Sequence, residues 1–217
     1  MSAPYPIIRR TLAPLFKRRI NQIEGLENLP ADGRYIVCAN HQSLLEAIFI
    51  KTLLVLATKN NVYFITQEWV WRFFKKIAGQ KGLDWLGMIP KIYAEPGKSL
   101  DLAKDYLNKG NIIVFFPEGV RNPDNPFLLK GKTGAARLAL WAKVPVVPIG
   151  YSGPATQTAW QGIKRFFFPR KKIRMVIGQP LYFNEYYKKE ITKELLYEVT
   201  KKIMTAIGQL CGRSYPY

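Results

Sequence analysis

Two short runs carry no charged or amide side chain: Tyr35-Ile36-Val37-Cys38-Ala39 and Ile112-Ile113-Val114-Phe115-Phe116. A strand with one face in water alternates apolar and polar residues. A run apolar at successive positions must cover both faces, as strands of a parallel sheet between helices do. Similar runs span Val62–Thr66 and Val146–Tyr151, and further candidate strands fall at Asn21–Glu24, Met88–Tyr93 and Ile173–Ile177. Pro90 within Met88–Tyr93 predicts an edge or a bulge, because proline lacks a ladder donor. Helical patterns fill the intervals: Ser43–Thr58, Glu68–Ala78, Ser99–Lys109 (stopped by Gly110), Thr133–Lys143 and Tyr187–Leu210. This alternation predicts an α/β fold: a single domain whose largely parallel or mixed central sheet is flanked by helices.

The segment Ile7–Ile20 mixes Ile, Leu and Phe with five cations and reads as a basic amphipathic stretch, bent or interrupted near Pro14. The expected organisation is therefore one domain over 1–217, with a membrane-contacting segment 1–20 and an α/β core 21–217. Ser152–Pro169, with Gly153, Pro154 and Gly162, reads as a long loop and a candidate flap.

The formal charge of +18 over 217 residues calls for an anionic partner. Basic clusters such as Lys75-Lys76 and Arg170-Lys171-Lys172 stand beside aromatic ones, Trp69 to Phe74 and Phe166 to Phe168. That interleaving suits an anionic membrane surface, where aromatics sit at headgroup depth and cations meet lipid. No nucleic-acid motif accompanies the charge, so no nucleic acid is expected. No run reaches the length of a bilayer span and no signal-peptide pattern is seen at the start. One histidine and two cysteines without metal-ligand spacing predict no metal and two free thiols.

The single histidine is His41, and Glu46 follows five positions later. Imidazole titrates near neutrality, and a carboxylate can fix its tautomer and stabilise its charged form, which makes a general base. Five positions along a regular helix turn a side chain by about 140° net, so the two would point apart on one helix. They meet only if His41 stands in the turn before it. Ser43, a good N-cap, supports that placement at the end of the Tyr35–Ala39 strand, where α/β sheets present their sites. Ser43-Leu44-Leu45-Glu46 is also a capping box, in which Glu46 supports the helix start; both roles are open to one carboxylate. Further on, Phe116-Pro117-Glu118-Gly119-Val120-Arg121 sets a Glu and an Arg on either side of a Gly turn. Gly131-Lys132-Thr133 looks like the end of a P-loop, but Pro126 stands where its first glycine belongs; a helix entry near Thr133 is expected instead.

Asn40-His41-x4-Glu46, Phe116-Pro117-Glu118-Gly119-Val120-Arg121 and Val144-Pro145-Val146-Val147-Pro148 occur in the order and spacing of the glycerolipid acyltransferases. Over about residues 35–152 the chain resembles the 1-acylglycerol-3-phosphate acyltransferases. The resemblance implies transfer of a fatty acyl group from an acyl-CoA or acyl-carrier-protein thioester to the free hydroxyl of lysophosphatidic acid, giving phosphatidic acid. It implies His41 as base and Glu46 as its partner. Glu118, Gly119 and Arg121 would shape the acceptor site, with Arg121 on the phosphate. It implies no cofactor beyond the thioester co-substrate, and a place on the cytoplasmic face of a membrane, peripheral or monotopic. The chain departs from the family pattern twice. Glu46 stands where Asp is usual, and Tyr93 stands where an Arg is usual, with Lys91 nearby as a substitute point charge. These departures leave room for another lysophospholipid or a glycolipid as acceptor. A non-catalytic basic binding protein for membrane or nucleic acid is the reading of a different class.

Overall fold

The structure, a computed structural model, describes residues 9–10, 12–43, 45–92, 94–123, 125–156, 158–167 and 172–217. Among the described residues seven strands form one sheet. The two apolar runs supply its middle. β2 (Ile36–Ala39) and β5 (Ile112–Phe115) lie side by side and parallel, with Ile36 opposite Ile113 and Cys38 opposite Phe115. β3 (Val62–Gln67) follows beside β5, and β4 (Met88–Lys91) closes that edge, again in parallel. Pro90 therefore sits on an edge strand, where a missing donor costs least. On the other side β6 (Val146–Ser152) pairs parallel with β2, β7 (Ile173–Ile177) pairs antiparallel with β6, and β1 (Ile20–Glu24) pairs parallel with β7. The sheet is mixed, with its parallel part carrying the apolar runs.

The period of two along β2 shows why no polar residue is tolerated there. Tyr35, Val37 and Ala39 enter one core with Leu45, Phe49 and Leu53 of α2 (Leu45–Ala57). Ile36 and Cys38 enter the opposite core, with α5 (Gly134–Ala142) and α7 (Lys193–Cys211). α1 (Leu12–Lys17) packs on α2. α4 (Pro96–Asn108) ends at Lys109 and Gly110, whose φ of 76° is the left-handed conformation expected of a C′ glycine. Thr133 stands at the N-cap position of α5, as the helix-entry reading requires.

Three expectations are corrected. The stretch Ser152–Pro169 is not a plain loop, because α6 (Ala159–Phe167) lies within it. The helix from Glu68 does not stop at Ala78: α3 (Glu68–Leu86) breaks helical geometry at Gly79, φ 64° and ψ −174°, and then resumes. The last helix starts at Lys193 rather than Tyr187, because the Thr192 side chain accepts from the Leu195 amide and fixes the start there. Residues 1–8 and 11 of the membrane-contacting segment, Tyr93, Phe168 of the aromatic cluster, and Arg170 and Lys171 of the basic cluster lie outside the described residues. No helix among the described residues is long and apolar enough to cross a membrane.

Candidate active site

Because β2 and β5 are parallel neighbours, the segments that leave their C-terminal ends emerge together. Asn40 closes the end of β2 against β6: its side-chain amide donates to Tyr151 O at 3.0 Å and accepts from Tyr151 N at 2.8 Å. His41 comes next, in the turn before α2. The Ser43 hydroxyl accepts from the Leu45 amide at 3.0 Å, as an N-cap does, and lies 2.6 Å from the Thr156 hydroxyl. The turn brings His41 Nδ1 onto Glu46 Oε1 in a hydrogen bond. The imidazole stacks on Phe116 from the end of β5, centroids 4.4 Å apart and planes at 18°.

The two partners differ in exposure. The His41 side chain is 20 % exposed, and that of Glu46 is wholly buried. Burial pushes the Glu46 carboxyl above its ordinary value, opposed by the His41 contact and by the backbone of Ser43 and Glu46 itself. Glu46 Oε2 is buried without a hydrogen-bond partner among the described residues. An ionised carboxylate only accepts. When Glu46 is charged, Nδ1 must donate to it, and Nε2 is left as the acceptor on the imidazole.

Glu118, expected at the acceptor pocket, is only 2 % exposed, and both its oxygens are occupied. Oε1 accepts from the His41 backbone amide at 2.9 Å. Oε2 accepts from Asn122 Nδ2 at 2.8 Å and from the Leu129 amide at 3.0 Å. Its contacts hold the His41 backbone rather than open space. Asn122 completes the tie, its own amide donating to His41 O at 2.6 Å. Arg213, just past α7, spans the same loop with Nη1 on Asn122 O at 2.7 Å and Nη2 on Pro123 O at 2.9 Å. With its amide turned so that the oxygen faces Arg213, Gln42 accepts from Nε at 3.2 Å and Nη2 at 2.8 Å.

Gly119 has φ 75°, and a Cβ there would lie 2.6 to 2.9 Å from the end of the Lys132 side chain. Arg121, two residues on, is half-buried, and its side chain has no hydrogen-bond or ion-pair partner among the described residues. Lys91 is the last residue of β4, on the far edge of the sheet from β1. Thus His41, Glu46 and Glu118 are joined directly, Gly119 and Arg121 follow on the same loop, and Lys91 stands two strands away from β5. Asn40 entered the sequence reading only as the first residue of the histidine motif, with no role assigned, and Asn122 and Arg213 were not singled out. Asn40 and Asn122 had a usable signal, being amides in or beside the two motifs. Arg213 had none, since it lies 91 positions from the carbonyl it binds. Among the described residues no group of three or more His, Cys, Asp or Glu is placed to hold a metal ion.

Comparison with known proteins gives this arrangement a family. The chain is 27 % identical over 196 residues to a 1-acyl-sn-glycerol-3-phosphate acyltransferase of Bacillus subtilis (strain 168), covering 87 % of each chain. It is 34 % identical over 178 residues to a chloroplast 1-acyl-sn-glycerol-3-phosphate acyltransferase of Arabidopsis thaliana, over 79 % of this chain but 46 % of that one. The chain thus spans about half the length of that plastid relative. The crystal structure of the 1-acyl-sn-glycerophosphate (LPA) acyltransferase from Thermotoga maritima superimposes with a TM-score of 0.62 at 24 % identity, over 95 % of this chain and 81 % of that one, and shares the fold. The Acyltransferase family model matches residues 21–152, which include both motifs and every residue described above except Thr156 and Arg213. By that match the chain belongs to the Acyltransferase family.

Proposed function

We propose that this enzyme acylates the free hydroxyl of lysophosphatidic acid from an acyl-CoA or acyl-carrier-protein thioester, forming phosphatidic acid, with His41 as general base. The observation that carries the proposal is the His41–Glu46 pair: a partly exposed imidazole held by a wholly buried carboxylate at the C-terminal edge of the sheet. His41 Nε2 takes the proton of the acceptor hydroxyl as its oxygen attacks the thioester carbonyl. The C–S bond then breaks, and the leaving thiolate recovers the proton from the imidazolium. Glu46 lowers the cost of that transient positive charge and fixes the ring. Glu118, through the His41 amide, positions the ring without touching substrate.

Gly119 and Arg121 belong to the acceptor side of the site, with the Arg121 guanidinium on the phosphate, for which its planar fork is suited. Lys91 adds a point charge there. The acceptor is a lipid, so the enzyme works at the anionic cytoplasmic face of a membrane, peripheral or monotopic. The test is an acceptor panel. Lysophosphatidic acid should exceed monoacylglycerol, which lacks the phosphate, as acceptor by at least about 100-fold in kcat/KM, since a polar site left unpaired discriminates strongly. Arg121→Gln should raise KM for lysophosphatidic acid about 10- to 100-fold with kcat nearly kept. Equal use of both lipids, or an unchanged KM, would contradict the phosphate assignment.

A further inference from the structure

α3 presents a second feature that the acyl-transfer chemistry does not use. Trp69, Phe73 and Ile77 are spaced by four and form one stripe along the first part of the helix. They are 72 %, 56 % and 67 % exposed. Among the described residues of α3 only Leu83 is buried, and Gln67 gives no side-chain cap. A helix of this length is marginal in water unless an apolar face is covered. Arg72 and Lys76 run along one flank of the stripe, and Lys75 lies over the Trp71 ring at 4.6 Å. Trp71, Arg72, Lys75 and Lys76 also line a groove of about 550 Å³ between α3 and β4.

We infer that this stripe is a docking face for an anionic lipid bilayer, with Trp69, Phe73 and Ile77 entering the interface and, on its flank, Lys76 meeting headgroups beside Arg72, which is paired with Glu68 at 2.6 Å. The charge argues the occupant. From Glu68 to Ala78 there are three bases and one acid, so the stripe is apolar with a cationic border. A second copy of a chain of charge +18 would bring the same sign to the contact. An anionic surface offers the opposite sign and room for three large hydrophobes. Position argues the same way. α3 leaves the C-terminal end of β3, on the sheet edge where His41 stands, and Phe64 of β3 lies 6.2 Å from Phe116, which stacks on His41. The inference rests on the lipid-acceptor reading for the identity of the occupant alone.

The test is binding of the full chain to vesicles of phosphatidylcholine with phosphatidylglycerol, and to phosphatidylcholine alone. Trp69→Gln/Phe73→Gln/Ile77→Gln should lower partitioning about 100-fold on the mixed vesicles. Lys76→Gln should lower it about 5-fold on mixed vesicles and leave neutral ones unchanged. Hydrogen exchange of the unmodified chain gives a reading free of any folding defect: amides over residues 69–78 should gain protection on mixed vesicles. Acyl transfer to detergent-dispersed acceptor separates the two proposals, because the triple variant should keep it. Failure of all transfer with vesicle binding intact would count against the reaction and not against the face. Unchanged partitioning and unchanged exchange would overturn the inference. So would a lipid-free dimer, or a complex with an acidic carrier protein, that the triple variant abolishes while vesicle binding survives.

Discussion

Replacing Glu46 by Gln separates the charge of this residue from its size. The carboxylate is wholly buried against the imidazole, so the substitution touches no substrate. Two unit charges about 4 Å apart attract by about 4 kcal/mol at an effective dielectric of 20. The amide retains a hydrogen bond to Nδ1, so the loss when the imidazolium forms should be about 2–4 kcal/mol, or about 30- to 1000-fold in kcat at 1.36 kcal/mol per tenfold. KM for the acceptor should stay within about 3-fold. Stability should move the other way with pH. The Glu46 carboxyl is raised in the folded state, chiefly by burial. At low pH it is protonated whether folded or not and costs nothing. As pH rises the unfolded chain releases its proton first, so stability contributed by the protonated group is lost as pH passes through the raised folded value. Gln does not titrate. The melting temperature of the variant relative to the parent should therefore increase from acid to mildly alkaline pH. Steady-state kinetics and thermal melts across that range check both parts. A kcat within about 3-fold of the parent, or a loss expressed in KM, would refute the charge-stabilisation argument.

Other substitutions test the support around the pair. Glu118→Gln turns one of two acceptor oxygens into a donor facing donors, and should cost about 2–3 kcal/mol, lowering the melting temperature by about 4–12 °C in calorimetry. Gly119→Ala places a side chain at φ 75°; Lys132 can swing aside, so the cost should be the backbone term of about 1–2 kcal/mol, read by urea unfolding. Arg213→Ala frees the Asn122–Pro123 carbonyls and should reduce kcat about 10-fold while the His41–Glu46 pair persists; unaltered turnover would remove Arg213 from the positioning network.

The layered fold was legible because burial on both faces leaves a plain mark: β2 and β5 read as apolar at successive positions, and their parallel pairing joins the two motifs. The His41–Glu46 contact was legible through Ser43, since the cap fixes where the helix begins. What the sequence hid was of two kinds. α6 was masked by Gly153, Pro154 and Gly162, whose punctuation outweighed the spacing of Trp160, Ile163 and Phe167. α3 was cut short at Gly79, where the backbone does break, because nothing local says that a helix will resume beyond a kink. The other kind is long-range. Glu118 was assigned to a pocket from its motif, yet its partners, His41 N and Leu129 N, are backbone amides that no side-chain pattern reports. Arg213 reaches the site only because α7 returns the chain across the sheet to β6.

The most direct measurement is acyl transfer by the purified protein from an acyl-CoA or acyl-carrier-protein thioester to lysophosphatidic acid, beside His41→Ala. The account predicts turnover that disappears in the variant, by about 100- to 10,000-fold, the range over which a positioned base contributes. The variant should fold but melt lower at neutral pH, because it loses the stacking on Phe116 and leaves the buried Glu46 carboxyl without its imidazole partner. Turnover that survives in a folded His41→Ala enzyme would contradict the assignment of His41 as the base.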